Sequence, residues 1–196
     1  EEFYKKKNNH YLKNVNYEQD YILSICSCAK YHNIFKLIQS YDVFIKKYNK
    51  NLKFYLVLTI LDQTYFDEII TYINKKNLQN KIKIILNLNS KFLFNLYKYA
   101  SAYIFSSYSE SFGYTSLEAM KMNCPVAISN HSSSSEINGN AALYFNANNI
   151  NDITDKLQKI IMNKKIIKKL KKRGKINIKK FTPGKHTENL LKLILN

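Results

Sequence analysis

Glycine, proline and arginine are scarce in this sequence and tryptophan is absent: the 196 residues carry four glycines, two prolines and a single arginine, Arg173. The glycines (Gly113, Gly139, Gly174 and Gly184) stand too far apart to write G-x-G-x-x-G or a phosphate-cradling P-loop. The usual signatures of dinucleotide oxidoreductases and P-loop NTPases are thereby excluded. Cysteine is sparse too. Cys26, Cys28 and Cys124 form an odd set without zinc-ligand spacing, as expected of reduced core thiols in a cytosolic protein. Cys26 and Cys28 would share one face of a strand, where packing outweighs redox chemistry. No run of about 18 apolar residues occurs, so no helical membrane span is expected. The first residues lack a signal-peptide pattern. The chain opens on Glu1 rather than Met, as a processed chain or a piece of a longer one would.

Lysine, by contrast, is abundant, and the net charge is +17. The Lys, Asn, Ile and Tyr bias resembles the codon drift of an AT-rich genome, which lowers the functional content of any one lysine. Residues 163–180 nevertheless hold ten positive charges and no acid, and removing them takes the net charge from +17 to +7. Such a patch suits anionic lipid head groups. Nucleic acid is the rival partner, but base readout favours the planar fork of arginine, so none is expected. A solvated helix face is the third reading.

A length of 196 residues suits one domain with a substantial core. Residues 1–20 are polar and lysine-rich and read as an arm. Short apolar runs follow at 21–27, 54–59, 82–86, 102–106, 125–128 and 142–145. Between them, apolar residues recur at helical spacing, as in Leu37, Ile38, Tyr41 and Ile45. Helices are predicted over 34–48, 65–74, 91–99, 116–122, 152–162 and 164–179, with a last one after Pro183. Buried strands alternating with amphipathic helices predict an α/β domain over 21–180, with a parallel sheet covered on both faces. Ligands in such sheets bind beyond the carboxyl ends of the strands. The loops 27–32, 88–90, 107–115 and 129–137 are therefore the candidate site.

One of these loops carries the only well-placed glycine. The run Ser109-Glu110-Ser111-Phe112-Gly113-Tyr114-Thr115-Ser116-Leu117-Glu118 leaves a strand, turns at Gly113 and enters a helix. Gly113 permits a backbone conformation or a close ligand approach that a side chain would block. The unpaired amides at the helix start form an anion site suited to phosphate. Two carboxylates, Glu110 and Glu118, flank it as acceptors for sugar hydroxyls. Each has a bland reading as well. Thr115-x-x-Glu118 matches a capping box, and Glu110 fits a solvated loop acid. Spacing leaves both alternatives open.

The spacing Glu110-x7-Glu118, with Phe112-Gly113 after the first glutamate and Ala119-Met120 after the second, resembles the signature of the family-4 (group 1) retaining glycosyltransferases of GT-B fold. Ser106-Ser107, Pro125 to Asn130, Glu136-Ile137-x-Gly139 and Asn140 to Phe145 agree in order, and Lys30-Tyr31-His32-Asn33-Ile34 more loosely. The resemblance covers roughly residues 20–180. It implies one Rossmann-like lobe of a GT-B enzyme that binds a UDP- or GDP-sugar and transfers the hexose, without a metal, to a glycan or lipid-linked acceptor in surface polysaccharide synthesis. It further implies that Glu110 holds the transferred sugar, as the catalytic residue. Phe112, Gly113, Tyr114 and Thr115 would hold the diphosphate, Glu118 the ribose, and Leu88 the base. Where the family has Gly and then Arg or Lys after the first strand, this chain has Cys26 and Ser27, which leaves Lys30 or His32 as the phosphate cation. Both His32 and His131 could titrate near neutrality, but a structural or surface role is the favoured reading for each, with Lys30 the favoured cation. Residues 181–196 would cross to an acceptor domain that this chain lacks, so transfer by the chain alone is expected to be weak. Cytoplasmic placement, peripheral to the inner membrane face, is the matching expectation. A non-catalytic module for nucleotide or anionic lipid is the alternative.

Overall fold

The computed structural model describes residues 20–110, 112–130 and 133–181. The 1–20 arm (apart from Asp20), the helix expected after Pro183 and His131 all lie outside the described residues. Six parallel strands build one sheet: β1 (Tyr21–Cys28), β2 (Lys53–Ile60), β3 (Ile82–Leu86), β4 (Ala102–Phe105), β5 (Val126–Ser129) and β6 (Ala142–Phe145). Their spatial order is β3-β2-β1-β4-β5-β6, the doubly wound order in which the progression of strands reverses between β1 and β4. Among the described residues, seven helices connect or flank them: α1 (Ile34–Lys47), α2 (Gln63–Lys75), α3 (Ser90–Tyr99), α4 (Tyr114–Lys121), α5 (Ser134–Asn138), α6 (Ile150–Met162) and α7 (Lys164–Asn177). Short 3-10 turns occupy Lys30–His32, Gly139–Ala141 and Ile178–Lys180.

Alternation along the strands sorts the core into two layers. Ile22, Phe54, Leu56, Leu58 and Ile104 pack with α1, α2 and α6, whereas Tyr21, Leu23, Tyr55, Val57 and Tyr103 pack with α3 and α4. Full burial of each such side chain contributes on the order of 1.5–3 kcal/mol. Short polar residues start the helices. The side chains of Asp62, Asn149 and Asn163 accept from first-turn amides of α2, α6 and α7. All three cysteines are free, and burial raises their thiols, Cys28 to about 12, as suits a packing role.

Scarcity of glycine is met by asparagine. Among the described residues, five side-chain-bearing residues adopt positive φ, and all are asparagine: Asn33, Asn49, Asn77, Asn87 and Asn123. Asparagine tolerates the left-handed region because its short side chain bonds locally. Asn87, just past the end of β3, adopts φ 49°. Several elements differ from the sequence expectation, with α2 starting at Gln63 and α6 at Ile150, each two residues early. The helix after Gly113 starts at Tyr114, two residues early, and α5 was not anticipated, because its five residues are too short to display a period.

Candidate functional site at the switch point

Backbone pairing between β1 and β4 is confined to Ile22–Ala102 and Leu23–Tyr103. β1 continues to Cys28 paired only with β2, so the two central strands part toward their carboxyl ends. A crevice at such a switch point is where ligands of doubly wound sheets bind. The two loops on its rim are latched together. The Ser106 hydroxyl donates to the carbonyls of His32 (2.9 Å) and Asn33 (3.2 Å), and the Tyr108 amide donates to the Tyr31 carbonyl at 2.8 Å. Asn33 sits at their centre, accepting from the Tyr108 hydroxyl at 3.0 Å and donating to the Ala147 carbonyl at 2.8 Å. Its φ of 54° turns the chain into α1. Sequence reading gave Asn33 no role. Its only local signal is an asparagine immediately before a helical period.

On the β1 side, Ser27, the penultimate residue of the strand, lies beside Tyr31 and His32. The Ser27 Oγ lies 2.8 Å from His32 Nε2 and 3.3 Å from the Tyr31 hydroxyl. His32 is only 7% exposed, and its Nδ1 is buried without a partner. A buried N–H without an acceptor is rarer than a bare acceptor. We therefore assign the proton to Nε2, donating to Ser27 and leaving the serine hydroxyl hydrogen free for another acceptor. Burial also lowers the imidazole to about pKa 4, so His32 is neutral at pH 7. The expectation that His32 titrates near neutrality and serves as a phosphate cation is corrected accordingly. It reaches the crevice only through Ser27. Lys30, exposed on the turn beside it, is the cation available there.

On the β4 side, the loop carries Glu110 into α4. Ser133 donates to the Glu110 carbonyl at 3.1 Å, tying this loop to the one after β5. The Cys26 thiol is raised by burial, then by Cys28, then by the Glu110 carboxylate, which sets that carboxylate by the end of β1. Gly113 caps α4 with φ 81° and ψ 46°. A Cβ there would lie 3.6 Å from Glu110 Cγ and 3.8 Å from Ser116 Oγ, ordinary contacts. The requirement for glycine therefore comes from the left-handed backbone rather than from crowding. The Ser116 hydroxyl and amide both turn back to the Gly113 carbonyl, at 2.8 and 3.1 Å. As first-turn groups, the Tyr114 and Thr115 amides have no acceptor within the helix. Phe112 packs on Tyr114 with ring centroids 4.5 Å apart and planes tilted by 33°, and meets Phe181 edge-on at 5.8 Å, while Tyr114 is 68% exposed.

The capping-box alternative for Glu118 does not hold, since α4 is capped by Gly113 and Thr115 falls inside the helix without a capping bond. Glu118 instead accepts a 2.9 Å hydrogen bond from the Tyr97 hydroxyl of α3. Tyr97 is buried, and desolvation followed by the neighbouring Tyr103 and Glu118 keeps its phenol protonated as a donor. Tyr103, bonded to Thr115 and donating to the Ile25 carbonyl at 3.3 Å, spans the parted strands. Both carboxylates are half-buried and attached to the same helix tip. Leu88 lies half-buried against the second core layer after β3, one strand further from the crevice than β2. Among the described residues, no group of three or more His, Cys, Asp or Glu has metal-holding geometry.

Comparison with solved structures finds the same fold. A glycosyltransferase from Rickettsia africae matches with TM-score 0.80 at 21% identity, over 98% of this chain and 51% of that one. An Anabaena protein solved with UDP and glucose matches at 0.80 and 15%, over 97% and 51%. A UDP-forming trehalose-phosphate synthase from Burkholderia xenovorans, solved with glucose-6-phosphate, matches at 0.83 and 10%, over 100% and 48%. This chain thus spans about half the length of these proteins, as one GT-B lobe does. No curated protein matches by sequence. The sequence profile described as Glycosyl transferases group 1 matches residues 5–177, which covers both glutamates, the Gly113 turn and all six strands, and the chain belongs to that family.

Proposed function

We propose that this chain is the donor-binding lobe of a retaining glycosyltransferase that moves a hexosyl group from a UDP- or GDP-sugar to a glycan or glycolipid acceptor. The observation that carries this reading is the helix tip at Gly113, with Glu110 before it near the end of β1 and Glu118 after it, held by Tyr97. The amides of Phe112 to Thr115 and the positive end of α4 receive the diphosphate. Lys30 adds a cation and Ser27 a directed hydroxyl. Glu110 accepts from hydroxyls of the transferred sugar, and Glu118 accepts from the ribose with its remaining lone pairs. During transfer the bond from the anomeric carbon to the diphosphate oxygen breaks. The acceptor oxygen bonds that carbon from the same face and passes its proton to the leaving diphosphate. Charge gathers on the diphosphate, where one pre-placed donor stabilises a transition state by about 3–4 kcal/mol. Because amides and Lys30 supply that stabilisation, the reading assigns no role to a metal.

The acceptor and the face that closes over the donor belong to a second lobe, so the chain by itself is expected to bind donor and transfer it poorly. Calorimetry with UDP, GDP and their sugar conjugates tests the donor site directly, with Glu118→Ala as control. The expected result is binding to one nucleotide class that the variant weakens about 10-fold or more, in line with a lost hydrogen bond to a charged group. Absence of binding to every nucleotide tried, by folded protein, refutes the reading. In the longer protein, Glu110→Gln abolishing transfer but sparing nucleotide affinity separates an enzyme from a binding module.

A further inference from the structure

The helix α7 carries eight positive charges in fourteen residues and no acid. Its buried side consists of Leu170, Gly174 and Asn177, with Ile166 and Ile167 half-buried. At 100° per residue, Lys164, Lys168, Lys172 and Lys175 share the opposite, solvent face. Adjacent like charges at i and i+4 on that face repel. The neighbouring helix α6 supplies an internal comparison. There Asp152 pairs with Lys156 at 2.6 Å and Asp155 with Lys159 at 2.8 Å, so the composition of this chain does furnish acids where lysines need them. Among the described residues, no lysine of 164–180 takes part in an ion pair.

This face is also not purely polar. A groove of about 460 Å³ is lined by five lysines of α7 with Ile167 and Asn123. It adjoins, through Lys164, a second groove of about 640 Å³ that includes Met162. Met162 is exposed, and Ile176 within the cationic face is 56% exposed. Lysines interleaved with exposed aliphatic side chains match a bilayer surface, where head-group phosphates meet cations and acyl chains meet the aliphatics. Single-stranded nucleic acid calls for aromatic platforms instead, and residues 162–180 contain no aromatic residue. Asn123, just past the end of α4, marks where the groove lies. It is at the opposite end of α4 from Gly113, on the order of 12 Å away by helical rise. A surface bound there leaves the switch-point crevice open.

We propose that the cationic face of α7, with Met162 and Ile176, docks this protein on an anionic lipid bilayer. The inference does not depend on nucleotide binding. Its test is co-sedimentation of the chain with phosphatidylcholine vesicles prepared with and without phosphatidylglycerol, at low and at physiological salt. The expected result is partition onto phosphatidylglycerol vesicles alone, reduced but not abolished by salt. Combined Lys164→Gln, Lys168→Gln and Lys175→Gln should lower that partition about 100-fold. All three side chains are exposed and the substitutions relieve like-charge repulsion, so the melting temperature should not fall. A control with the same charge loss elsewhere, Lys50→Gln, Lys75→Gln and Lys76→Gln, should shift it only a few-fold through net charge. The proposal is overturned if the two triple variants lose partition equally, or if no vesicle is bound. Binding of single-stranded RNA as tight as vesicle binding at the same salt, removed by the same α7 variant, equally overturns it.

Discussion

Removing one oxygen tests how the Glu118 carboxylate is held. The Tyr97 hydroxyl donates to Glu118 at 2.9 Å from a ring that is 1% exposed, and Tyr97→Phe deletes the donor while keeping the ring's packing. A hydrogen bond to a charged group contributes about 1.5–3 kcal/mol, and half-burial of Glu118 argues for the lower figure. For a domain of this size, about 1.5 kcal/mol lowers the melting temperature by about 3–6 °C. A second effect falls on binding. Freed from Tyr97, the carboxylate must be ordered again when nucleotide arrives, at about 1 kcal/mol for one immobilised side chain, or about fivefold in Kd. Glu118→Ala should cost more, because the whole contact is lost. The Tyr97→Phe, Glu118→Ala double variant should bind no worse than Glu118→Ala alone, since Tyr97 acts only through Glu118. Scanning calorimetry and isothermal titration with UDP and GDP read both effects. The reasoning is refuted if Tyr97→Phe leaves Kd unchanged for a nucleotide that Glu118→Ala weakens, or if the double variant loses affinity additively.

Three further perturbations follow from the same geometry. His32 is held near pKa 4 by burial against about 6.5 unfolded, so the unfolded state binds more protons between those values and stability falls as pH drops through that window. Chemical denaturation should show a loss of about 2–3 kcal/mol from pH 7 to 4, and His32→Gln should flatten that slope. Asn33→Ala removes one buried and one half-buried hydrogen bond and puts a Cβ-only residue at φ 54°, for a loss of about 3 kcal/mol and about 6–12 °C in melting temperature. Gly113→Ala meets no close atom but forces alanine to φ 81°, so a loss of about 1 kcal/mol is expected with the fold retained. Asn at the same position should be tolerated better than Ala, as it is at Asn87; equal melting temperatures for the two variants count against that account.

Much of this protein was legible before any coordinates. Runs such as 21–27 and 54–59, separated by helical periods, determined a parallel α/β sheet because hydrophobic periodicity is a local property that reports burial directly. The same runs located the strand-to-helix loops, and with them Glu110, Gly113 and Glu118, since a glycine between two acids at a helix start is visible within ten residues. The tertiary structure decided what depends on contacts between distant segments. The parting of β1 from β4 follows from pairing register, which no single strand encodes. The latch of Ser106 onto His32 and Asn33 joins residues more than seventy positions apart, and Glu118 found its partner twenty-one positions back on another helix, displacing the capping role that its spacing allowed. Burial likewise turned His32 from a candidate cation into a neutral support for Ser27, because desolvation is set by what packs around a ring and not by its neighbours in the chain.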